Sequence, residues 1–339
     1  MKFKIFDQTL QSGEAATLAM PLPSLYSCAP MYLPIKIING IDEGPCVLVF
    51  GMVDGDEYNS IEIINNLLDN IDPKKLTGTI VAIPVLNIYG LTHYPQKLPY
   101  GKHLEDSFPG DENGSFMERY AYNITENLIK KADYSIQIKT GSINHQTLPQ
   151  VHCNTDDEDT MKVARAFQAP VITGVSVNTS SIRKIHQSLD IPFICYEGGE
   201  AVRFDNEAIN IGIEGVRNIL KKLDMLRGEN FEQMVKPIIS EDTEWTISDT
   251  SGILKTEIEI GTRVKEGEKV GQIVDPFGNA EKVQLVSPID GVILGINNFP
   301  LIKEGDRVFK VASFHDDGKA EAKLEDWEEI VTENFSSDE

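Results

Sequence analysis

The run Val47-Leu-Val-Phe-Gly-Met-Val-Asp54-Gly-Asp56-Glu57-Tyr58 constrains this chain more than any other stretch. Its apolar, β-branched half, stopped by glycine and acids, predicts a buried strand that opens into a loop. Residues 59–68 follow with Ile61, Ile63, Ile64, Leu67 and Leu68 at helical spacing. The acids therefore fall at a strand-to-helix junction, where α/β proteins place their chemistry. Asp54 and Glu57 stand three apart, close enough for both carboxylates to meet one ligand or cation at a helix start.

The pattern repeats along the first two thirds of the chain. Gly78-Thr-Ile-Val-Ala-Ile-Pro-Val-Leu-Asn87 predicts a second buried strand, and the loop over 88–114, rich in Pro, Gly, His and Tyr, is long enough to expect a function. Ser115 and Glu118 form a capping-box pattern that starts a helix running to about 131. Asp133-Tyr-Ser-Ile-Gln-Ile-Lys139-Thr-Gly141 is a third strand. Residues 144–152, polar and containing a proline, are expected to line the same rim. Helices over 159–169, 181–189 and 207–226 alternate with strands at 170–175 and 191–196, the last delivering Glu197-Gly-Gly-Glu200. Strands alternating with helices predict an α/β fold, a mixed and largely parallel sheet with helices on both faces. Residues 1–40 read as edge strands leading into it.

Near residue 234 the periodicity changes. Short alternating strands and glycine turns run to Phe314 with a recurring cadence, Gly261-Thr-Arg-Val-Lys-Glu-Gly and then Ile302-Lys-Glu-Gly-Asp-Arg-Val-Phe309. This cadence, with Ser287-Pro-Ile-Asp-Gly-Val-Ile293, resembles a biotinyl/lipoyl-type barrel-sandwich domain. Lys282 lies too close to Pro288 for the carrier lysine of such a domain and lacks flanking methionines, which argues against a swinging arm. The boundaries expected are an α/β domain at 1–236, an all-β barrel-sandwich-like domain at 237–315, and an acidic C-terminal helix and tail at 316–339, with Leu324, Trp327, Val331 and Phe335 on the docking face.

Composition narrows the partners. A net charge of −22 over 339 residues argues against nucleic acid and anionic membranes. No apolar run approaches the roughly 18 residues of a membrane span, and the N-terminus carries no pattern of a signal peptide. Cys28, Cys46, Cys153 and Cys195 are scattered without a Cys-x-x-Cys pair, the usage of free buried thiols in a reducing cytoplasm.

Taken in order, the strand with its Asp54–Tyr58 junction, Phe108-Pro-Gly110 with Gly114-Ser115 and Arg119, Leu148-Pro-Gln-Val151, Glu197-Gly-Gly-Glu200 with Arg203-Phe204, and the β domain resemble the succinylglutamate desuccinylase/aspartoacylase family, relatives of the zinc carboxypeptidases. The resemblance covers nearly the whole chain. It implies a zinc carboxypeptidase-like fold and a zinc-dependent amide-bond hydrolase, with three protein ligands on the metal and a carboxylate that takes a proton from its water. It also implies site positions. In the family the junction reads His-Gly-x-Glu, so Asp54 stands at a His ligand position and Glu57 at the Glu ligand position. Lys139 stands where Asp-Leu-His-Thr-Gly supplies the third ligand. Glu197 matches the general base, and Glu105-Asp106 replaces an Asn-Arg pair that holds a substrate carboxylate.

Two of three ligand positions differ, and an ammonium of ordinary pKa about 10.4 does not ligate zinc. The expectation is that Lys139 pairs with Asp54 and Glu57 in place of a metal, and that Glu105 and Asp106 turn the mouth of the pocket against anions. His93, His103, His145 and His152 are expected near the rim, where one of them could join Asp54 and Glu57 in a remodelled site. His186 and His315 read as polar surface. The first reading is thus a non-catalytic binding or regulatory homologue without a metal, possessing no cofactor, forming a homo-oligomer or associating with an active paralogue. The second is an active N-acyl amino acid deacylase holding one zinc or other divalent ion in a changed site.

Overall fold

The computed structural model describes residues 2–22, 30–93, 103–278 and 281–335, without the side chains of 92, 93 and 331–335. The elements in chain order are strands β1 (Phe3–Ile5), β2 (Gln8–Leu10), β3 (Glu14–Leu22), β4 (Met31–Asn39) and β5 (Asp42–Gly51), helix α1 (Tyr58–Asp69), β6 (Thr77–Ile83), α2 (Gly90–His93) and α3 (Phe116–Asn127). Then come β7 (Tyr134–Lys139), β8 (His145–Cys153), α4 (Glu158–Phe167), β9 (Val171–Gly174), α5 (Ser181–Ser188), β10 (Phe193–Gly199) and α6 (Asn206–Lys222). The remainder is β11 (Ile238–Ser240), β12 (Asp242–Ile247), β13 (Gly252–Lys255), β14 (Arg263–Val264), β15 (Lys269–Val274), β16 (Val283–Val286), β17 (Gly291–Asn297), β18 (Leu301–Ile302), β19 (Arg307–Ser313) and α7 (Asp317–Phe335).

One mixed sheet dominates, in the order β12-β19-β17-β8-β10-β7-β5-β6-β4-β3, with β9 beside β8, β11 beside β9 and β14 beside β17. Its centre, β6-β5-β7-β10, is parallel. Strand β5 is buried on both faces, which is why it reads as an unbroken apolar run. Val47 and Val49 face the core shared with Ile63, Ile64 and Val216, while Leu48 and Phe50 face a second core with Tyr120 and Phe193. Gly51 ends the strand because α1 passes directly over it: a Cβ there would lie 2.5 Å from the Cβ of Ser60.

The C-terminal β elements form a four-stranded antiparallel sheet, β16-β15-β13-β18, with a core of its own around Val264, Leu285 and Phe309. They are also sewn to the main sheet. Strand β17 pairs with β8 through Gly295↔Thr147 and Asn297↔His145, and β11 pairs with β9. Helix α7 returns Ala320, Leu324 and Trp327 to the main core. No helix among the described residues is long and apolar enough to cross a membrane.

The segment over 144–152, read from the sequence as rim and not as a strand, lies almost wholly in the nine-residue strand β8, His145–Cys153. Pro149 misleads here. It sits where β8 changes partners, β17 pairing with 145–147 and β9 with 150–153, and opposite the irregularity between Glu197 and Gly199 of β10. A missing N–H at that point breaks no ladder. His186 is likewise not surface: it is fully buried, stacked on Phe193 at 4.5 Å, with Nδ1 2.7 Å from the Ile182 carbonyl. His315 is exposed.

Candidate functional site

The carboxyl ends of β5, β7 and β10 bring the charged residues together. Glu57 closes the turn between β5 and α1. Its Oε2 accepts the Val53 and Asp54 amides at 2.9 and 3.2 Å, which leaves Oε1 facing inward. Lys139, the last residue of β7, reaches that oxygen at 3.6 Å, Asp54 Oδ2 at 3.6 Å and Glu105 Oε1 at 3.4 Å. Glu105 arrives from a 3₁₀ turn, Leu104–Asp106, that docks on α5, where the Ser181 hydroxyl donates to the Glu105 carbonyl and accepts the Phe108 amide at 3.0 Å. Its carboxylate also accepts Gln137 Nε2 at 2.9 Å.

Three carboxylates thus share one ammonium in a site that is mostly sealed: the Lys139 side chain is 20% exposed and that of Glu57 3%. Burial works against a charged lysine, but Glu105, Glu57 and Asp54 outweigh it and hold the Lys139 pKa well above its ordinary range. Lys139 is therefore an ammonium at neutral pH. Burial pushes the carboxyls of Glu57 and Asp54 upward although Lys139 opposes it. Glu105 is also penalised by burial, yet Lys139 and the Gln137 amide leave it below the usual carboxylate range.

A second pair lies alongside. Lys139 is in register with Glu197 of β10, and Cys195 of β10 is in register with both Gln137 of β7 and His152 of β8. These side chains share one face of the sheet. His152 Nε2 meets Glu197 Oε2 at 2.7 Å. Burial would raise the Glu197 carboxyl, but the hydrogen bond and charge of His152 bring its pKa down to about 2, while burial lowers that of His152. His152 Nδ1 has no partner among the described residues.

The other expected site residues divide. His103 stands 3.7 Å from Asp54, at the edge of the cluster. Asp106 is exposed and lines a cavity of about 520 Å³ with His103, Phe108 and Asp111. His145 belongs elsewhere: its ring nitrogens lie 3.0 Å from the carbonyl oxygens of Ile143 and Arg307, and its edge rests on Trp245, at the seam of β8 with the C-terminal strands. The side chain of His93 lies outside the described residues. Cys46, Cys153 and Cys195 are buried free thiols, pushed up to about 12 by burial, and Cys28 is outside the described residues.

Two residues of the site were not singled out from the sequence. Gln137 had a signal, since Ser135, Gln137 and Lys139 alternate with Ile136 and Ile138 and must share a face. Arg183 had none. It comes from α5, lies over the Phe193 ring at 5.5 Å and helps to hold Glu105 ionised. The strand-end loop after Glu197 closes the site from the other side: the Val202 amide donates to the Asp56 carbonyl at 3.0 Å, and Val202 takes φ 63°, a left-handed conformation unusual for a β-branched residue.

The succinylglutamate desuccinylase/aspartoacylase catalytic domain matches residues 43–223, more than half of the chain and all of the cluster just described. The chain belongs to this family of amide-bond deacylases. It is similar to the N-alpha-acetyl-L-2,4-diaminobutyric acid deacetylase of Halomonas elongata, 24% identical over 294 residues that span 83% of this chain and 85% of that protein. Among solved structures, the succinylglutamate desuccinylase/aspartoacylase of Rhodobacter sphaeroides superposes with a TM-score of 0.80 at 22% identity, covering 91% of this chain and 96% of that one. The product-bound ectoine utilization protein EutE (DoeB) of Ruegeria pomeroyi gives 0.79 at 20% identity, over 89% and 96% of the two chains. The family fold, α/β with additional C-terminal antiparallel sheets, is the fold seen here. Relatives of this family are typically zinc-dependent. Among the described residues, no three or more His, Cys, Asp or Glu side chains are grouped to hold a metal ion.

Proposed function

We propose that the chain is a non-catalytic binding or regulatory homologue within its deacylase family, with the zinc site replaced by an ion cluster. The observation that carries this is the Lys139 ammonium, 3.4–3.6 Å from Glu105, Asp54 and Glu57. Zinc takes thiolate, neutral imidazole or carboxylate donors, and a protonated amine offers no lone pair. The donor set does not fit the metal, because a cation already faces the carboxylates that would bind it. Without a Lewis acid, water keeps a pKa of about 15.7 rather than about 7. Glu197, hydrogen-bonded to His152 and held as a weak base, does not close that gap. Deacylation by the family route is therefore not supported by this site.

In its favour, the competing reading of an active N-acyl amino acid deacylase with a remodelled metal site has His103 beside Asp54. It requires Lys139 to leave the cluster. Metal analysis of protein purified without chelator separates the two. The wild type is expected to hold under a tenth of an equivalent of zinc, manganese or iron, and Lys139→His, which completes an Asp54, Glu57, His set, is expected to take up zinc. About one equivalent in the wild type, lost in Glu57→Gln, would overturn the proposal. The buried thiols are consistent with a cytoplasmic setting, and a binding role fits self-association or a paralogue as partner.

A further inference from the structure

We infer that a second cavity, where β8, α4, β9 and α5 meet, binds a free amino acid with an apolar side chain. Strands β8 and β9 run parallel with α4 crossing between them, and their carboxyl ends open on a cavity of about 450 Å³. Crevices at the carboxyl ends of parallel strands are where α/β sheets take ligands, and the volume falls within the roughly 300–1,000 Å³ of small-molecule sites. The cavity is not the ion cluster. Cys153, which ends β8, is in register with Ile194 near the start of β10, whereas Lys139 is in register with Glu197 toward its other end.

Charge decides the ligand. Arg183 lines the cavity with its guanidinium over the Phe193 ring at 5.5 Å. Asp156 and Asp190 line it too, yet Arg183 forms no ion pair with either, and neither carboxylate has a partner among the described residues. A cation and two anions that share a cavity without closing on one another leave a dipolar space. A simple anion or a simple cation suits one end and is repelled at the other, while a zwitterion suits both.

The remaining groups agree. Asp157 already caps α4 through the Thr160 amide at 3.1 Å, and Asp159 pairs with Lys162 at 2.9 Å, so Arg183 is the anion-binding end. Asn154 accepts the Asp156 amide on Oδ1 at 3.2 Å and keeps Nδ2 without a partner among the described residues, a second donor for a carboxylate. Val177 and Phe193 supply the apolar wall for a side chain.

Isothermal titration of the full chain with L-leucine tests this, beside 4-methylpentanoate, which lacks the ammonium, and isoamylamine, which lacks the carboxylate. Saturable one-to-one binding of leucine is expected, with each analogue weaker by about tenfold or more, the loss of one charge-assisted contact. Arg183→Met is expected to weaken leucine about tenfold and leave isoamylamine unchanged. Asp190→Asn, at a φ of 54° that asparagine also adopts, is expected to weaken leucine and leave 4-methylpentanoate unchanged. Lys139→Met, in the ion cluster, is expected to leave leucine binding as it is. An absence of saturable leucine binding, an analogue that binds as tightly as leucine, or an unchanged leucine affinity in Arg183→Met and Asp190→Asn overturns the inference. Loss of leucine binding in Lys139→Met overturns it as well, by placing the amino acid in the cluster. The analogue series on the wild type decides the matter even where a substitution unfolds the chain.

Discussion

Replacing Lys139 by Met leaves most of the side-chain volume in place and removes the charge, so what is lost is the pairing of Asp54, Glu57 and Glu105. Removing one partner of a buried ion pair costs about 3–5 kcal/mol. Two effects reduce this. Lys139, Asp54 and Glu105 keep 20–25% of their side-chain surface exposed, so solvent screens part of the loss. A stranded carboxylate also escapes by taking up a proton, at about 1.4 kcal/mol for each unit by which pH exceeds its pKa. We expect a loss of about 3 kcal/mol at pH 7.5. With an unfolding entropy of about 2.1 cal/mol/K per residue over 339 residues, that lowers Tm by roughly 4 °C. The pH dependence tells charge from packing. In the wild type the raised Lys139 pKa contributes stability throughout the range below about 10.5, losing it only as pH rises through the folded value. In the variant the carboxyls, already displaced upward by burial, lose the group that opposed the displacement. The folded variant then binds protons more tightly than the unfolded chain and gains stability as pH falls, so its deficit shrinks by up to about 2.7 kcal/mol per proton between pH 7.5 and 5.5. Urea midpoints and Tm at both pH values decide it. A Tm within 1 °C of wild type at pH 7.5, or a deficit of equal size at the two pH values, refutes the ion cluster as a stabilising element.

Two further perturbations test the surroundings. Burial depresses the His186 pKa to about 4, so the unfolded chain protonates first and the wild type loses stability as pH falls from about 6.5 to 4, by up to roughly 3 kcal/mol. His186→Leu is expected to flatten that part of the stability profile, and identical slopes of urea midpoint against pH in the two proteins would contradict it. Trp327→Ala removes a side chain that α7 buries in the main core, and a loss of about 3–5 kcal/mol is expected. A loss below 1 kcal/mol in the same assay would mean that α7 docks without stabilising the sheet.

Much of this architecture is legible in local pattern. The β5 run, the capping box at Ser115 and Glu118, and the amphipathic α6 are each dictated within a dozen residues. Where the pattern misleads, the cause is a partner far along the chain. Pro149 denies β8 only if each backbone position needs a ladder bond, and β17, some 150 residues later, leaves that position free. His186 lies four residues after Ile182 on the buried side of α5, a spacing present in the sequence, but its polarity suggests surface. Glu105 stands in a loop with no periodicity, and its inward turn depends on Ser181. The pairing of Lys139 with Asp54 and Glu57 followed from opposite charges at positions that the family resemblance implies are neighbours, whereas the third carboxylate and the Gln137 amide required the fold.

The proposal of an active enzyme leans on Glu57 and Glu197, which the family resemblance places at a ligand and a general-base position. Both have structural work here that owes nothing to a metal. Glu57 ties the Val53 and Asp54 amides at the entry to α1, and losing it would leave one part-buried and one buried donor unpaired, at a cost of about 1–3 kcal/mol for the buried one. Glu197 holds His152, another buried polar group that would otherwise have neither nitrogen engaged. Retention of these two is thus expected whether or not hydrolysis survives, and the weight shifts to the positions that differ. Asp54 is neutral in this respect, because a carboxylate ligates zinc as an imidazole does. Lys139 is not neutral: the side chain that meets Asp54, Glu57 and Glu105 together is a cation, and the proposed loss of the metal rests on that contact.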